Sequence, residues 1–273
     1  MRRRGQAGRG GRGRPARPGR RARYLFACTC VVGFLLPART AQPALPATAD
    51  LPAQPAPGVV SAAAQSRAAV RKGRLFPPTD LGLLESPDRE QWQKPDLIMD
   101  ALRIGEGDNV ADMGAGGGWF TARLARRVWP TGLVYAQDIQ PTMLEAIARM
   151  VQREGLNNVR TVLGTPTDPK LPPNLDVVLI VDAYHEMNEG PDVILTLLRN
   201  ISRALKPQGR LGIVDFLPGG GGPGPSAEER IDPDAVIRTV ESAGLKLQSR
   251  EPVPPFQFLL VFGRASPAPR RAS

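Results

Sequence analysis

The sequence predicts an α/β fold of three layers, a mostly parallel sheet covered by helices on both faces, and three observations carry that prediction. Beyond Trp92, short apolar runs alternate with stretches of helical periodicity, the rhythm of parallel strands joined by crossover helices. The runs are nearly continuous in apolar residues, LDVVLIV at 175–181 above all, as strands buried on both faces require. A glycine-rich turn follows the first run, where a parallel α/β unit places its ligand.

Leu97, Ile98, Ala101 and Leu102 have helical spacing and precede the first strand, Asn109 to Met113. Trp119, Phe120, Leu124, Ala125 and Val128 trace the next helix face. Leu133 to Ala136 reads as the second strand, and Met143, Leu144, Ile147, Met150 and Val151 form one helix face that stops at Gly155. Val159 to Leu163 and Leu175 to Val181 are the third and fourth strands, and a helix from Pro191 to Leu205 leads to the fifth, Arg210 to Phe216. The rhythm then changes. LPGGGGPGPS, a mobile lid or a plain linker, precedes a helix capped by Asp232 with Pro233 in its first turn, running to Ala243 and Gly244. Leu245 to Glu251 and Phe256 to Phe262 close the sheet as an antiparallel pair across a short VPP link. The folded body thus spans 75–264, and 265–273 reads as a disordered tail.

The amino-terminal part has a different character. Arg/Gly/Pro-rich residues 1–23 lead into the apolar YLFACTCVVGFLL at 24–36 and then into small residues, the order of a secretory signal with cleavage after Ala41. Residues 1–41 therefore predict an exported, periplasmic or membrane-anchored protein, with 24–36 as the tether if the leader stays. The alternative is a mitochondrial presequence, which is also Arg-rich and free of acids. Residues 42–74 read as an Ala/Pro-rich linker and amino-terminal extension. The net charge of +10 belongs to the leader: eleven Arg and no acid fall in residues 1–49, so the body is close to neutral and no nucleic-acid partner is expected. Cys28 and Cys30 also lie in the leader, which excludes a disulfide framework, a Cys-ligated zinc or a cysteine nucleophile from the body.

The loop VADMGAGGGWFT does not fit the dinucleotide fingerprint, because Trp119 stands where the third glycine is needed. Its pattern is D-x-G-x-G-x-G, from Asp112, Gly114, Gly116 and Gly118. Three further stretches follow in order: VYAQD ending in Asp138, GTPTDPKLP carrying Asp168 before LDVVLIVDAYHEM, and LLRNISRALKPQGRLGIVDF. Together these resemble the class I S-adenosylmethionine-dependent methyltransferases over residues 90 to 263, and most of all the small-molecule branch that includes quinone and sterol C-methyltransferases. The resemblance implies a Rossmann-like methyltransferase fold, a mostly parallel seven-stranded sheet with an antiparallel closing strand, and S-adenosylmethionine as donor. It implies that the glycines let the donor lie against bare backbone, that Asp112 receives its amine directly or through water, and that Asp138 accepts its ribose hydroxyls. Asp168 would accept the adenine amine, with Ile139, Thr167 and Leu144 as adenine walls; Asp182 is counted with the donor-binding residues.

His185, the only histidine of the chain, stands at the carboxyl end of strand four. In a fold of this kind that position faces the methyl group, and an imidazole has the intrinsic pKa of a general base. Tyr184 and Glu186 are read as groups that bind the acceptor's polar atoms or orient the imidazole. A divalent-ion reading of Asp182, His185 and Glu186 lacks a second cluster of oxygen ligands, so no metal is expected. ESPDREQWQKP and PGGGGPGPSAEERI are expected to roof the acceptor site, with Trp92 covering the cofactor or the acceptor and Arg230 pairing an anionic acceptor. The reading is methyl transfer to a small-molecule acceptor by direct in-line displacement; the alternative is a non-catalytic donor-binding or scaffold protein that keeps the fold.

Overall fold

A computed structural model of the chain describes residues 75–265, Gly220 and Pro254 excepted. The leader at 1–41 with its apolar stretch 24–36, the linker read at 42–74 and nearly all of the tail lie outside the described residues. Among the described residues no helix is long and apolar enough to cross a membrane.

Seven strands form one sheet: β1 (Asn109–Met113), β2 (Leu133–Asp138), β3 (Val159–Leu163), β4 (Leu175–Val181), β5 (Leu205–Phe216), β6 (Leu245–Val253) and β7 (Gln257–Arg264). Their order is β3-β2-β1-β4-β5-β7-β6. β1 to β5 run parallel to one another, and β7 runs antiparallel to both β5 and β6. This is the expected seven-stranded sheet. β5 begins five residues before the strand read from sequence: Leu205 pairs with Leu175 and Arg210 with Val177, so 206–209 bulge out of an otherwise extended strand. Lys206 fastens the bulge to Asp176 at 2.7 Å.

The helices are α1 (Arg89–Gln93), α2 (Pro95–Ala101), α3 (Trp119–Val128), α4 (Pro141–Glu154), α5 (Tyr184–Met187), α6 (Pro191–Ala204) and α7 (Pro233–Ser242). Ile98, Phe120, Leu124, Ile147 and Met150 of α2, α3 and α4 fill the core on one face of the sheet. Ile194, Leu197, Leu198, Ile201, Val236 and Val240 of α6 and α7 fill it on the other. Each such side chain contributes ~1.5–3 kcal/mol by leaving water, which is why helix periodicity and sheet position agree so closely. Asp232 caps α7 by accepting the Asp234 N–H at 3.1 Å.

The winding reverses between β1 and β4. Beside such a reversal the loops that leave the strand ends diverge and open a crevice. Here it collects the carboxyl ends of β1, β2, β4 and β5, and both cavities described next are built there.

Candidate functional site

The glycine loop is held to the end of β2 by its own backbone: Ala115 N–H donates to the Gln137 carbonyl and Gly116 N–H to the Asp138 carboxylate, each at 3.0 Å. Asp138 accepts a second N–H from Gln140 at 3.0 Å. Burial pushes its pKa up, and these amides pull it back. Gly114, Gly116 and Gly118 all have positive φ, and α3 begins directly after Gly118. Beneath the loop, Asp112 is buried and accepts the Thr121 hydroxyl at 2.6 Å; burial raises its pKa to about 6 against the pull of Thr121 and Arg89.

A cavity opens over this loop, walled by Asp112, Gly114, Gly116, Asp138, Ile139 and Asp182, with Met143, Thr165 and Pro166 on the side of β2. Its cover is the 3-10 helix Pro78–Glu85, no residue of which is buried. Leu84 and Leu81 lie so close to Gly116 and Gly117 that a Cβ on either glycine would stand 3.2 Å from a leucine methyl. The space beneath this cover is about 120 Å³, below the ~300–1,000 Å³ of ordinary ligand pockets. Phe76 fastens its leading end across the crevice, its N–H donating to Glu186 and its carbonyl accepting from Gln140, both at 3.1 Å.

A second cavity of about 1020 Å³ adjoins the first, and Arg89, Asp182 and Glu186 belong to both walls. Trp92 and Phe216 make an aromatic wall, their centroids 5.9 Å apart. His185 lines only this second cavity, and its imidazole is fixed by a fully buried carboxylate: Nδ1 lies 3.1 Å from both oxygens of Asp215, which also accepts the His185 backbone N–H at 3.1 Å. Burial opposes protonation of His185, but the hydrogen bond and charge of Asp215, backed by Glu186 and Asp182, outweigh it and hold the pKa above the ordinary value. Glu186 lies with Oε1 3.9 Å from Nε2.

The structure brings together Asp112, Gly114, Gly116, Asp138, Ile139 and Asp182 around the first cavity, and Trp92, His185, Glu186 and Arg230 around the second. Four expectations change. Gly118 faces away from the cavity, against Ile147 and Met150 of α4, where a Cβ would meet the Met150 methyl at 2.5 Å. Asp168 is exposed and accepts the Lys170 N–H at 2.9 Å, so it closes its own turn; Met143 and Pro166 line the cavity instead of Leu144 and Thr167. Tyr184 points into the core between the sheet and α7 and reaches neither cavity. Arg230 has its donors on the carbonyls of Leu217, Gly221, Pro223 and Pro225, at 2.9 to 3.3 Å. It therefore fastens the glycine-rich segment, and Gly222 and Gly224 pack on the rings of Phe256 and Phe216.

Sequence reasoning missed Asp215 and Arg89. Asp215 reads as an ordinary strand end, and only the pairing of β4 with β5 sets it opposite His185. Arg89 reads as a surface charge on a polar helix, yet it is 7% exposed, donates to the Leu84 carbonyl at 2.6 Å and lies 4.4 Å over the Trp119 ring. Trp119, which spoils the dinucleotide pattern, thus serves as the platform for a buried guanidinium.

Comparison with known proteins agrees with this architecture. Residues 110–209 match a family model described as a methyltransferase domain. The chain is similar to a ubiquinone/menaquinone biosynthesis C-methyltransferase of Pasteurella multocida, 31% identical over 127 residues, 46% of this chain and 45% of that one. It is similar to a demethylmenaquinone methyltransferase of Listeria welshimeri, 29% identical over 126 residues, 46% of this chain and 51% of that one. The chain thus spans about half the length of the curated relatives it matches. The crystal structure of an S-adenosylmethionine-dependent methyltransferase from Aquifex aeolicus superposes with a TM-score of 0.64 at 28% identity, covering 68% of this chain and 98% of that one. With the glycine loop, the strand-end acids and the sheet order in place, the described body of this chain has the Rossmann-like fold of the S-adenosylmethionine-dependent methyltransferases, and residues 110–209 within it match a methyltransferase domain.

Proposed function

We propose that the chain transfers the methyl group of S-adenosylmethionine to a small-molecule acceptor seated in the second cavity, by direct in-line displacement. The observation that carries this reading is the common wall: two cavities meet at Arg89, Asp182 and Glu186, and the only histidine faces the acceptor side alone. The donor, when bound, supplies a methyl group already activated on a sulfonium, so the protein's task is alignment and proton removal.

The residues present suit that task. Asp138 keeps lone pairs beyond those taken by Gly116 and Gln140, enough to accept two vicinal hydroxyls. Asp112 and Arg89 offer opposite charges to the amino-acid end of the donor. Donor entry requires the cover Pro78–Glu85 to lift, which its lack of buried residues permits. An Nδ1–H directed at Asp215 leaves the Nε2 lone pair free to take a proton from the acceptor's nucleophile. The relatives named for quinone C-methylation support an electron-rich ring with an acidic hydroxyl as acceptor, and the Trp92–Phe216 wall suits a flat ring. The leader read at 1–41 adds the proposal that this chemistry takes place after export or at a membrane.

The test is calorimetric titration of S-adenosylmethionine into the chain and into Asp138→Ala. Loss of a charge-assisted contact is expected to weaken binding by about 1.5–3 kcal/mol. An unchanged affinity removes Asp138 from the donor site. His185→Ala is expected to keep donor affinity and lose turnover of a reduced quinone acceptor, and a full-rate variant would end its assignment as base.

A further inference from the structure

Behind the wall common to the two cavities, four side chains form a closed ring of hydrogen bonds. Arg89 Nε donates to Gln93 Oε1 at 3.1 Å, and Gln93 Nε2 donates to Gln257 Oε1 at 2.8 Å. Gln257 Nε2 donates to Asp182 Oδ1, and Arg89 Nη2 closes the ring on Asp182 Oδ2 at 3.2 Å. The ring ties α1 to the end of β4 and the start of β7, across 164 residues between the two glutamines. Arg89 and Asp182 line both cavities, whereas Gln93 and Gln257, at 0% and 1% exposure, line neither.

The order of the ring is dictated by the groups in it. A guanidinium only donates, an ionised carboxylate only accepts, and a primary amide does each at one end. The glutamines therefore have one satisfying orientation, with both amide N–H ends directed toward Asp182. A proton on either Asp182 oxygen would set a donor against a donor, either Gln257 or Arg89, and leave a buried polar group unpaired. Burial, above all, pushes the Asp182 pKa up to about 7. Arg89 on α1 and His185 on α5 favour its ionised form, Asp215 on β5 opposes it, and Gln257 on β7 adds its hydrogen bond to the favourable side.

We propose that Gln93 and Gln257 are positioning residues for methyl transfer: through this ring they hold the Asp182 carboxylate ionised and the Arg89 guanidinium in place on the wall between donor and acceptor. The inference rests on the reading of the two cavities given above. Ionised Asp182 neutralises Arg89 on that wall, where a protonated one would leave the wall positive, so the ring favours the cationic donor over its neutral product, S-adenosylhomocysteine, and the difference is larger in a site of low dielectric than in water. Two residues that touch no ligand thus set the preference between substrate and spent cofactor.

The test titrates S-adenosylmethionine and S-adenosylhomocysteine calorimetrically into the full chain, Gln257→Leu, Gln93→Leu and the double variant, at several values of pH on either side of neutrality. Each single variant is expected to bind S-adenosylmethionine about tenfold more weakly at neutral pH. It is expected to lose less for S-adenosylhomocysteine and to lose donor affinity at a higher pH on acidification. The double variant is expected to be no worse than either single one, since one cut already opens the ring. Equal losses for the two ligands with an unmoved pH profile overturn the proposal, because simple repacking would give that result. Additive losses overturn it too. If Gln257→Leu does not fold, Gln93→Leu opens the same ring one bond further from Asp182 and is read the same way. Failure of the unmutated chain to bind either ligand refutes the methyltransferase reading itself and the ring with it. Donor binding by the unmutated chain with unaltered variants refutes the ring alone.

Discussion

Replacing Asp215 by Asn keeps the shape of the buried side chain and removes its charge, and the chain carries a reporter suited to the result. His185 is the only histidine, so one imidazole Cε1–H resonance in a proton–carbon spectrum belongs to it without assignment. In the unmutated chain both Asp215 oxygens lie 3.1 Å from Nδ1, and the Asp215 side chain has 0% exposure. A hydrogen bond to a charged group is worth about 1.5–3 kcal/mol, and 1.36 kcal/mol is a decade in a protonation constant. Asp215→Asn is therefore expected to weaken proton binding at His185 by about ten- to a hundredfold. The titration midpoint, above the ordinary 6.5 in the parent because Asp215, Glu186 and Asp182 outweigh burial, should fall accordingly. Turnover should follow in two ways: the acid limb of the pH–rate profile moves to lower pH, where a neutral imidazole now exists, and the plateau drops because the base is weaker. A midpoint that stays in place in a folded variant would refute the pairing as the source of His185 basicity, and with it the argument that Nε2 is the end presented to the acceptor.

Stability should fall as pH rises from about 4 to 7. Asp112, whose pKa burial raises from 3.8 to about 6, contributes stability that is complete below the unfolded value and is lost as pH passes the folded one; Asp182, raised to about 7, and His185 act in the same direction. Thermal denaturation against pH checks this, Asp112→Asn should flatten the slope, and a rising curve would contradict the burial of these groups. Gly118→Ala is expected to cost about 1–3 kcal/mol in denaturant unfolding, since φ is +88° and the new Cβ would stand 2.5 Å from the Met150 methyl; an unchanged midpoint would mean that α4 yields there. Arg230→Lys should expose 217–225 to proteolysis while donor affinity holds, because a point charge cannot serve four carbonyls at once. Protection equal to the parent's would show that the packing of Gly222 and Gly224 suffices.

What the sequence disclosed and what it withheld follow from how far apart the partners are along the chain. β1, β3 and β4 were read to the residue because an apolar run between polar neighbours is a local signal, and the glycine loop was legible because its acid and three glycines lie within seven residues. Arg230 was misread because a side chain's type says nothing about its partners. A glycine-rich run offers only carbonyls, and an arginine five residues beyond it is the group that can gather them. Asp215 and Gln257 were invisible for a topological reason: their partners, His185 and Asp182, become neighbours only when β5 pairs with β4 and β7 with β5.

A signal for this crowding was nevertheless present. Asp112 near the end of β1, Asp138 closing β2, Asp182 just past β4 and Asp215 near the end of β5 place an acid at the carboxyl end of four parallel strands, and parallel strands present those ends at one edge. All four are wholly or nearly buried, and the positive groups set among them are Arg89 and, when protonated, His185. Carboxylates assembled so closely raise one another's pKa unless a cation enters between them. On the reading proposed here the sulfonium of the donor is that cation, so donor binding at a pH near 6 should release a proton from Asp112, and the calorimetric heat of titration should vary with the ionisation enthalpy of the buffer. Heats independent of the buffer would place the donor's charge away from this edge and break the link between the converging acids and methyl transfer.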